Sequence, residues 1–366
     1  MTSTVTSAAT STSVSSTASA TCVNNIPPGK NGYLPPESCD AVLYYVPSFA
    51  AAILFCALYG LTTIVHIVQA VAYKKGYAWV VIMGAAWELG AFVFRTLQTR
   101  HQNSDLFDTG YTIFFLLAPI WINAFLYMTL GRMVNFFLPD KKLGRINARR
   151  FGLIFVCLDI LAFMVQLGGA ALSSNTGESI KTVMLGLHLY MGGIGLQELF
   201  ILCFLALTIH LHRKLLQLER SGTETDLQKL SHGSYPWRWL FYTIYVALGL
   251  ITVRIIFRIA QYAQGTSTSN QILTHEVYEY VFDAVPMFLA LIVLNVFHPG
   301  RILQGPDSKF IKLTRAEKKE KKRTARMEKE RKKRGSWGSD DSASYSLQTH
   351  GTRGHAPEYS GHEYGV

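Results

Sequence analysis

Glu88, Asp159, Glu198, Arg254, Arg258 and Asp283 are ionisable side chains that fall within long apolar stretches of a 366-residue chain. A charge at the centre of a membrane span costs about 3 kcal/mol on the insertion scale. Six unpaired ones would cost on the order of 15–20 kcal/mol, more than the ~5–15 kcal/mol net stability of a folded domain. They are therefore expected to face one another or a wet interior. Groups of these types can do three things there: pair across helices, carry protons, or hold the polar head of an amphiphile.

Their spacing places them on helix faces. Glu276, Glu279 and Asp283 stand at i, i+3, i+7, and Arg254, Arg258 and Gln261 at i, i+4, i+7. Glu88 and Arg95 are seven apart, as are Asp159 and Gln166, so each set looks in one direction. Asp283 lies about 10 Å along its helix from Glu276 at ~1.5 Å per residue. That depth matches Arg258 on the preceding span and predicts an ion pair between Arg258 and Asp283 or Glu279. Two groups result. Glu88, Asp159, Gln166, Gln197, Glu198 and Asn123 are candidates to line a central substrate path. Arg254, Arg258, Gln261, Glu276, Glu279 and Asp283 form an outer polar cluster. Either the pairs serve only to lock helices together, or they line a path for an amphiphile or for protons.

The elements that must position them are seven apolar segments of about 20 residues or more, the length needed to cross a bilayer. They are Val46–Tyr73, Tyr77–Leu97, Tyr111–Phe137, Phe151–Leu172, Thr182–His210, Trp237–Tyr262 and Glu276–Phe297. The expected fold is all-α, a polytopic membrane protein with seven transmembrane helices. Basic residues alternate between loops: Lys74 and Lys75 in the first, Lys141 to Arg150 in the third, Arg213 to Lys229 in the fifth, and few in the even-numbered loops. This predicts the N-terminus outside and the C-terminus in the cytoplasm, with Trp79, Trp237 and Trp239 as belt residues near the inner ends. Gly168–Gly169, Gly192–Gly193 and Gly195 are small enough to let helices approach. Pro119 and Pro286 each withhold a backbone donor and free a carbonyl for another partner.

The net charge of +11 is not read as a nucleic-acid signal, because its excess is concentrated in Arg315–Arg334 and 49% of the chain is hydrophobic. The anionic inner leaflet is the expected partner of 315–334. Residues 1–44 read as an extracellular tail rich in Ser and Thr, without the basic and apolar regions of a cleaved signal peptide. Residues 45–299 read as the membrane domain, and 300–366 as a basic cytoplasmic tail without a fold of its own. Cys22 and Cys39 flank a Pro/Gly-rich stretch, and an oxidising exterior would favour a disulfide between them. Cys56, Cys157 and Cys203 lie in apolar spans, where thiols behave as small hydrophobes.

No phosphate-binding loop is found: Gly300 to Gly305 is followed by Pro306 where a lysine would be required. There is no His-Glu-x-x-His, and His66, His188 and His275 sit on different spans, so no metal or other cofactor is expected. His66 reads as a satisfied packing residue.

The motifs match a known family. They run from Tyr45-Val46-Pro47-Ser48 through Glu88-Leu89-Gly90 with Arg95, Leu117-Ala118-Pro119, Tyr127-Met128 and Gly131-Arg132. Phe155, Asp159, Gln166, Gly168 and Gly169 follow, then Gly195-Leu196-Gln197, Arg254 to Arg258 with Gly265, and Glu276, Tyr280 and Asp283. Over Tyr44 to Pro299 the chain resembles the fungal RTA-like proteins, the lipid-translocating exporter family. It departs at Gln261, where the family usually carries an acid, and this puts more weight on Glu279 and Asp283 as counter-charges.

The resemblance implies translocation or export of amphiphilic lipids or toxic lipophilic compounds at the plasma membrane, giving stress or drug resistance. The substrate classes it implies are sphingoid bases, sterol-like amines and porphyrins. The alternative is a seven-helix receptor or stress sensor for a lipid-like ligand. An intramembrane lipid enzyme ranks below both, since no nucleophile–base pair stands out.

Overall fold

A computed structural model describes residues 23, 25–38, 41–144, 146–173, 179–221, 236–263, 265 and 270–303, with scattered positions between 320 and 330. Cys22, Cys39 and most of the 315–334 run lie outside the described residues.

Among the described residues seven helices are long and apolar enough to cross a membrane. They are α1 (Phe49–Tyr73), α2 (Trp79–Gln98), α3 (Asp105–Phe137), α4 (Ala148–Ser173), α5 (Ile180–Ser221) and α6 (Arg238–Ala263). The seventh, α7, covers residues 276–296 and is built of Glu276–Glu279, a π-helical turn Tyr280–Ala284, and Val285–Val296. A two-residue antiparallel hairpin, Lys142–Leu143 with Ile146–Asn147, joins α3 to α4 and is a small departure from the all-helical expectation.

Three boundaries differ from the hydropathy reading for local reasons. α1 starts at Phe49, after Pro47, with the Ser48 hydroxyl accepting from Ala51 N at 3.4 Å. α3 starts six residues before Tyr111, with Asp105 and Asp108 in its first turn where the helix dipole favours acids. α5 runs eleven residues past His210, because Leu211 and Leu215 carry a buried stripe at i, i+4 into its polar half.

Each helix packs on the next, and α7 packs back on α1, so the bundle closes. α3 also touches α5 and has the largest buried share, 61% against 28% for α4 and α5, which makes it the central helix. Two expectations for small and aromatic residues need correction. Gly169 and Gly193 do set the α4–α5 approach: a Cβ at Gly169 would fall 2.3 Å from Tyr190 N. Gly168, Gly192 and Gly195 instead face open space. Trp79 and Trp239 are exposed as belt residues are, but Trp237 is buried against His212 and Phe241.

Candidate functional site

The strongest feature of the bundle is a cluster of three arginines and three acids at the end where α7 begins. α6 presents Arg254 and Arg258 one turn apart, and both bond Asp283 of α7, one to each carboxylate oxygen. Arg258 Nη2 also lies 3.7 Å from Glu279 Oε1. The predicted Arg258 pairing is thus made with both acids. Asp283 is fully buried and sits inside the π-helical turn, whose wider winding is often found at functional positions.

α2 supplies the third arginine. Arg95 Nη2 bonds Glu276 Oε1 at 3.0 Å and lies 3.7 Å from Glu279 Oε2, while Nη1 bonds Gln98 Oε1 at 2.8 Å. Arg95 also donates to the Tyr45 hydroxyl, which in turn donates to Glu279 Oε2 at 2.9 Å. Tyr111 donates to the other Glu279 oxygen at 2.9 Å, and Ser48 N donates to Glu276 Oε2 at 2.7 Å. Tyr45 precedes α1, and burial pushes its phenol pKa well above the usual value, so it stays a neutral donor. Gln261 accepts from Arg258 Nη1 at 3.3 Å.

Phe115 of α3 underlies both α6 arginines. Their guanidinium carbons lie 5.0 and 5.1 Å from its ring centroid, within cation–π range. Its carbonyl accepts from Arg254 Nη2 at 3.1 Å. That carbonyl is four residues before Pro119, the one a proline leaves without its helical donor.

The cluster opens onto a pocket of about 180 Å³. Arg95, Arg258, Gln261, Glu279, Tyr111 and Tyr45 line it, with the segment before α1 along one side. Further toward the N-terminus, the Asn31 carbonyl accepts from Gln102 N at 2.9 Å. Three arginines against three acids make the cluster neutral with every charge committed.

The central group does not assemble as one site. Asp159 is buried and accepts from Asn123 at 3.1 Å and from the Tyr127 hydroxyl at 2.9 Å, between α3 and α4. Gln166 donates to Gln197 at 3.0 Å, between α4 and α5. Glu198 accepts from Thr252 at 2.9 Å, between α5 and α6. Glu88 is fully buried with neither oxygen hydrogen-bonded, and it lies within the field of Arg254, Arg258 and Asp283. None of these six residues lines the pocket. They scatter because each helix shows a different neighbour its polar side, an arrangement that depth alone does not specify. Arg95, Tyr45 and Tyr111 belong to the site and were outside the expected set. Arg95 had a signal, its place inside a span on the face of Glu88. For the two tyrosines there was none beyond the Tyr45 motif.

Residues 81–306 match the family described as RTA1 like protein. The chain is 59% identical over 310 residues to a protein named probable lipid transporter atnI from Emericella nidulans, covering 85% of this chain and 80% of that one. It belongs to the RTA1-like family. Two further relatives of this RTA1-like chain come from Saccharomyces cerevisiae. Protoporphyrin uptake protein 1 is 28% identical over 70% of this chain and 91% of its own length. Sphingoid long-chain base transporter RSB1 is 25% identical over 71% of this chain and 74% of its own length. No solved structure matches. The RTA1-like match takes in all three arginines and all three acids of the cluster, together with Glu88 and Asp159.

Proposed function

We propose that this RTA1-like protein moves amphiphilic lipids or lipid-like toxic compounds across the plasma membrane, with a head group entering at the charge cluster. The single observation that carries this is the convergence of Arg95, Arg254 and Arg258 with Glu276, Glu279 and Asp283 beside a pocket between candidate spans. At about 180 Å³ the pocket suits a polar head better than a whole lipid, since pockets for drug-sized ligands run about 300–1,000 Å³. Because every charge is already paired, a head group with both an amine and hydroxyls can enter only by exchanging partners. An ammonium would take a carboxylate from Arg95 or Arg258. That exchange would loosen the joint between α2, α6 and α7 and open the site. The relatives named for lipids, long-chain bases and protoporphyrin support amphiphiles as the substrate class.

The orientation proposed is N-terminus outside and C-terminus cytoplasmic, so that the pocket faces outward and Lys74, Lys75 and the 315–334 run meet the anionic inner leaflet. Residues 1–44 are then an extracellular tail and 300–366 a cytoplasmic one. The chain acts without enzymatic chemistry of its own. The test is reconstitution into liposomes with a fluorescent long-chain base and a membrane-impermeant quencher. Transbilayer movement above protein-free vesicles, reduced in Arg95→Gln and Glu279→Gln, is the expected result. Binding without transfer would replace a transporter with a receptor.

A further inference from the structure

α1 is inverted relative to a soluble amphipathic helix. Leu61, Ile64, Ile67, Val68 and Val71 are exposed, while Tyr59, Thr62, Thr63 and His66 are buried. With Gln69 these stand at i, i+3, i+4, i+7, i+10, a polar stripe aimed at the rest of the bundle. Facing it on α7 and just beyond are Asp283, Asn295 and His298. The seam is bonded at three points. The Tyr59 hydroxyl donates to Ala284 O at 2.7 Å, Asn295 Nδ2 donates to Thr62 Oγ1 at 2.8 Å, and Gln69 Nε2 donates to Asn295 O at 2.8 Å.

The same seam holds a concentration of buried polar atoms without a hydrogen-bond partner. They are both ring nitrogens of His66, Gln69 Oε1, Asn295 Oδ1 and His298 Nε2, and both oxygens of Glu88 from the adjoining α2. Glu88 feels the charges of Arg254 and Arg258 on α6 and Asp283 on α7, and it acts in turn on the Tyr59 phenol of α1. His66 feels His298, which feels Arg301 and Lys75 at the far end. The stripe therefore leads from the charge cluster to the end where α7 finishes. Tyr59 and His66 are about 10 Å apart at ~1.5 Å rise per residue, with the Thr62 and Thr63 hydroxyls between them.

Few ligands fit such a file. An alkali cation needs a shell of oxygens, and three of the unpaired atoms are imidazole nitrogens. A transition metal needs more donors than are present: among the described residues no group of three or more His, Cys, Asp or Glu could hold one. The proton suits both carboxyl and imidazole. His66 is the more telling, because an imidazole can take a proton on one nitrogen and release one from the other, and the Leu291 backbone of α7 is close enough to act on its ring.

We propose that the α1–α7 seam conducts protons across the membrane, with Glu88 and His66 each binding one and passing it on, and that lipid movement is coupled to this flux. The coupling clause rests on the transporter reading; the pathway does not. Only the proton moves, from the pocket past the arginine–Asp283 cluster to Glu88, along the Tyr59–Thr63 stripe to His66, and past His298 to water at the other side.

The test uses the full chain in liposomes loaded with a pH-sensitive dye, with potassium and valinomycin holding the voltage at zero while the external pH is stepped. Native protein should acidify the lumen several-fold faster than empty vesicles. Glu88→Gln and His66→Gln should return the rate to background. The two substitutions lie on different helices and each keeps a polar side chain, so loss of one to misfolding leaves the other. Native flux equal to that of empty vesicles, with or without added long-chain base, overturns the proposal, as does flux unchanged in a correctly reconstituted variant. Lipid movement is read in parallel in the same vesicles. Lipid movement without proton flux removes the pathway and leaves the transporter. Proton flux without lipid movement supports the pathway and removes the transporter.

Discussion

The Phe115 carbonyl accepts a hydrogen bond from Arg254 at 3.1 Å, and it is available because Pro119, four residues on, has no N–H. A proline in the central helix thus becomes an acceptor for a buried guanidinium on α6. Pro119→Ala restores a competing N–H. The expected outcome is a Tm in detergent that holds or rises, since the helix regains its own bond, together with several-fold slower lipid movement in liposomes. A variant that transports at the native rate would show that the Arg254 contact is incidental.

Asp283 is the acid on which two buried arginines depend. Removing one partner of a buried ion pair leaves an uncompensated charge and costs about 3–5 kcal/mol. Asp283→Asn is therefore expected to lower thermal stability by an amount in that range, with Asp283→Glu falling between it and the native protein. Denaturation followed by intrinsic fluorescence measures it.

Glu88 should behave in the opposite way. Its oxygens have no hydrogen bond to lose, so Glu88→Gln is expected to change stability by no more than ~1 kcal/mol. The same denaturation experiment separates the two acids: one clamps the bundle, the other does not. A loss as large as that of Asp283→Asn would mean that Glu88 is a structural counter-charge to Arg254.

The α4–α5 crossing gives a paired comparison along one helix. Gly169→Val would drive side-chain atoms into the Tyr190 and Gly186 backbones and is expected to destabilise by several kcal/mol, beyond the ~1–3 kcal/mol of ordinary overpacking. Gly168→Ala meets nothing within 4 Å and should be neutral or slightly stabilising through the better helix propensity of alanine. Thermal stability in a single detergent compares them directly.

The proposed orientation places the C-terminus inside. A C-terminal epitope tag should be protected from protease and from antibody on intact cells and become accessible on permeabilisation. Accessibility on intact cells would reverse the bundle and turn the pocket toward the cytoplasm.

The number of helices, their approximate positions and an Arg258 pairing with Asp283 or Glu279 were legible in the sequence. Hydropathy over about 20 residues and a 3.6-residue period are local properties, and the depth of a side chain on one helix can be counted against that of the next helix in the chain. The tertiary structure alone decided how the remaining polar groups were sorted. It joined Arg95 of α2 to Glu276 of α7, separated Glu88 from Asp159, and turned the Thr62–His66 face of α1 inward. Those outcomes depend on how each helix is rotated against neighbours distant in sequence, and above all on the closure of α7 onto α1, which no window of the chain records.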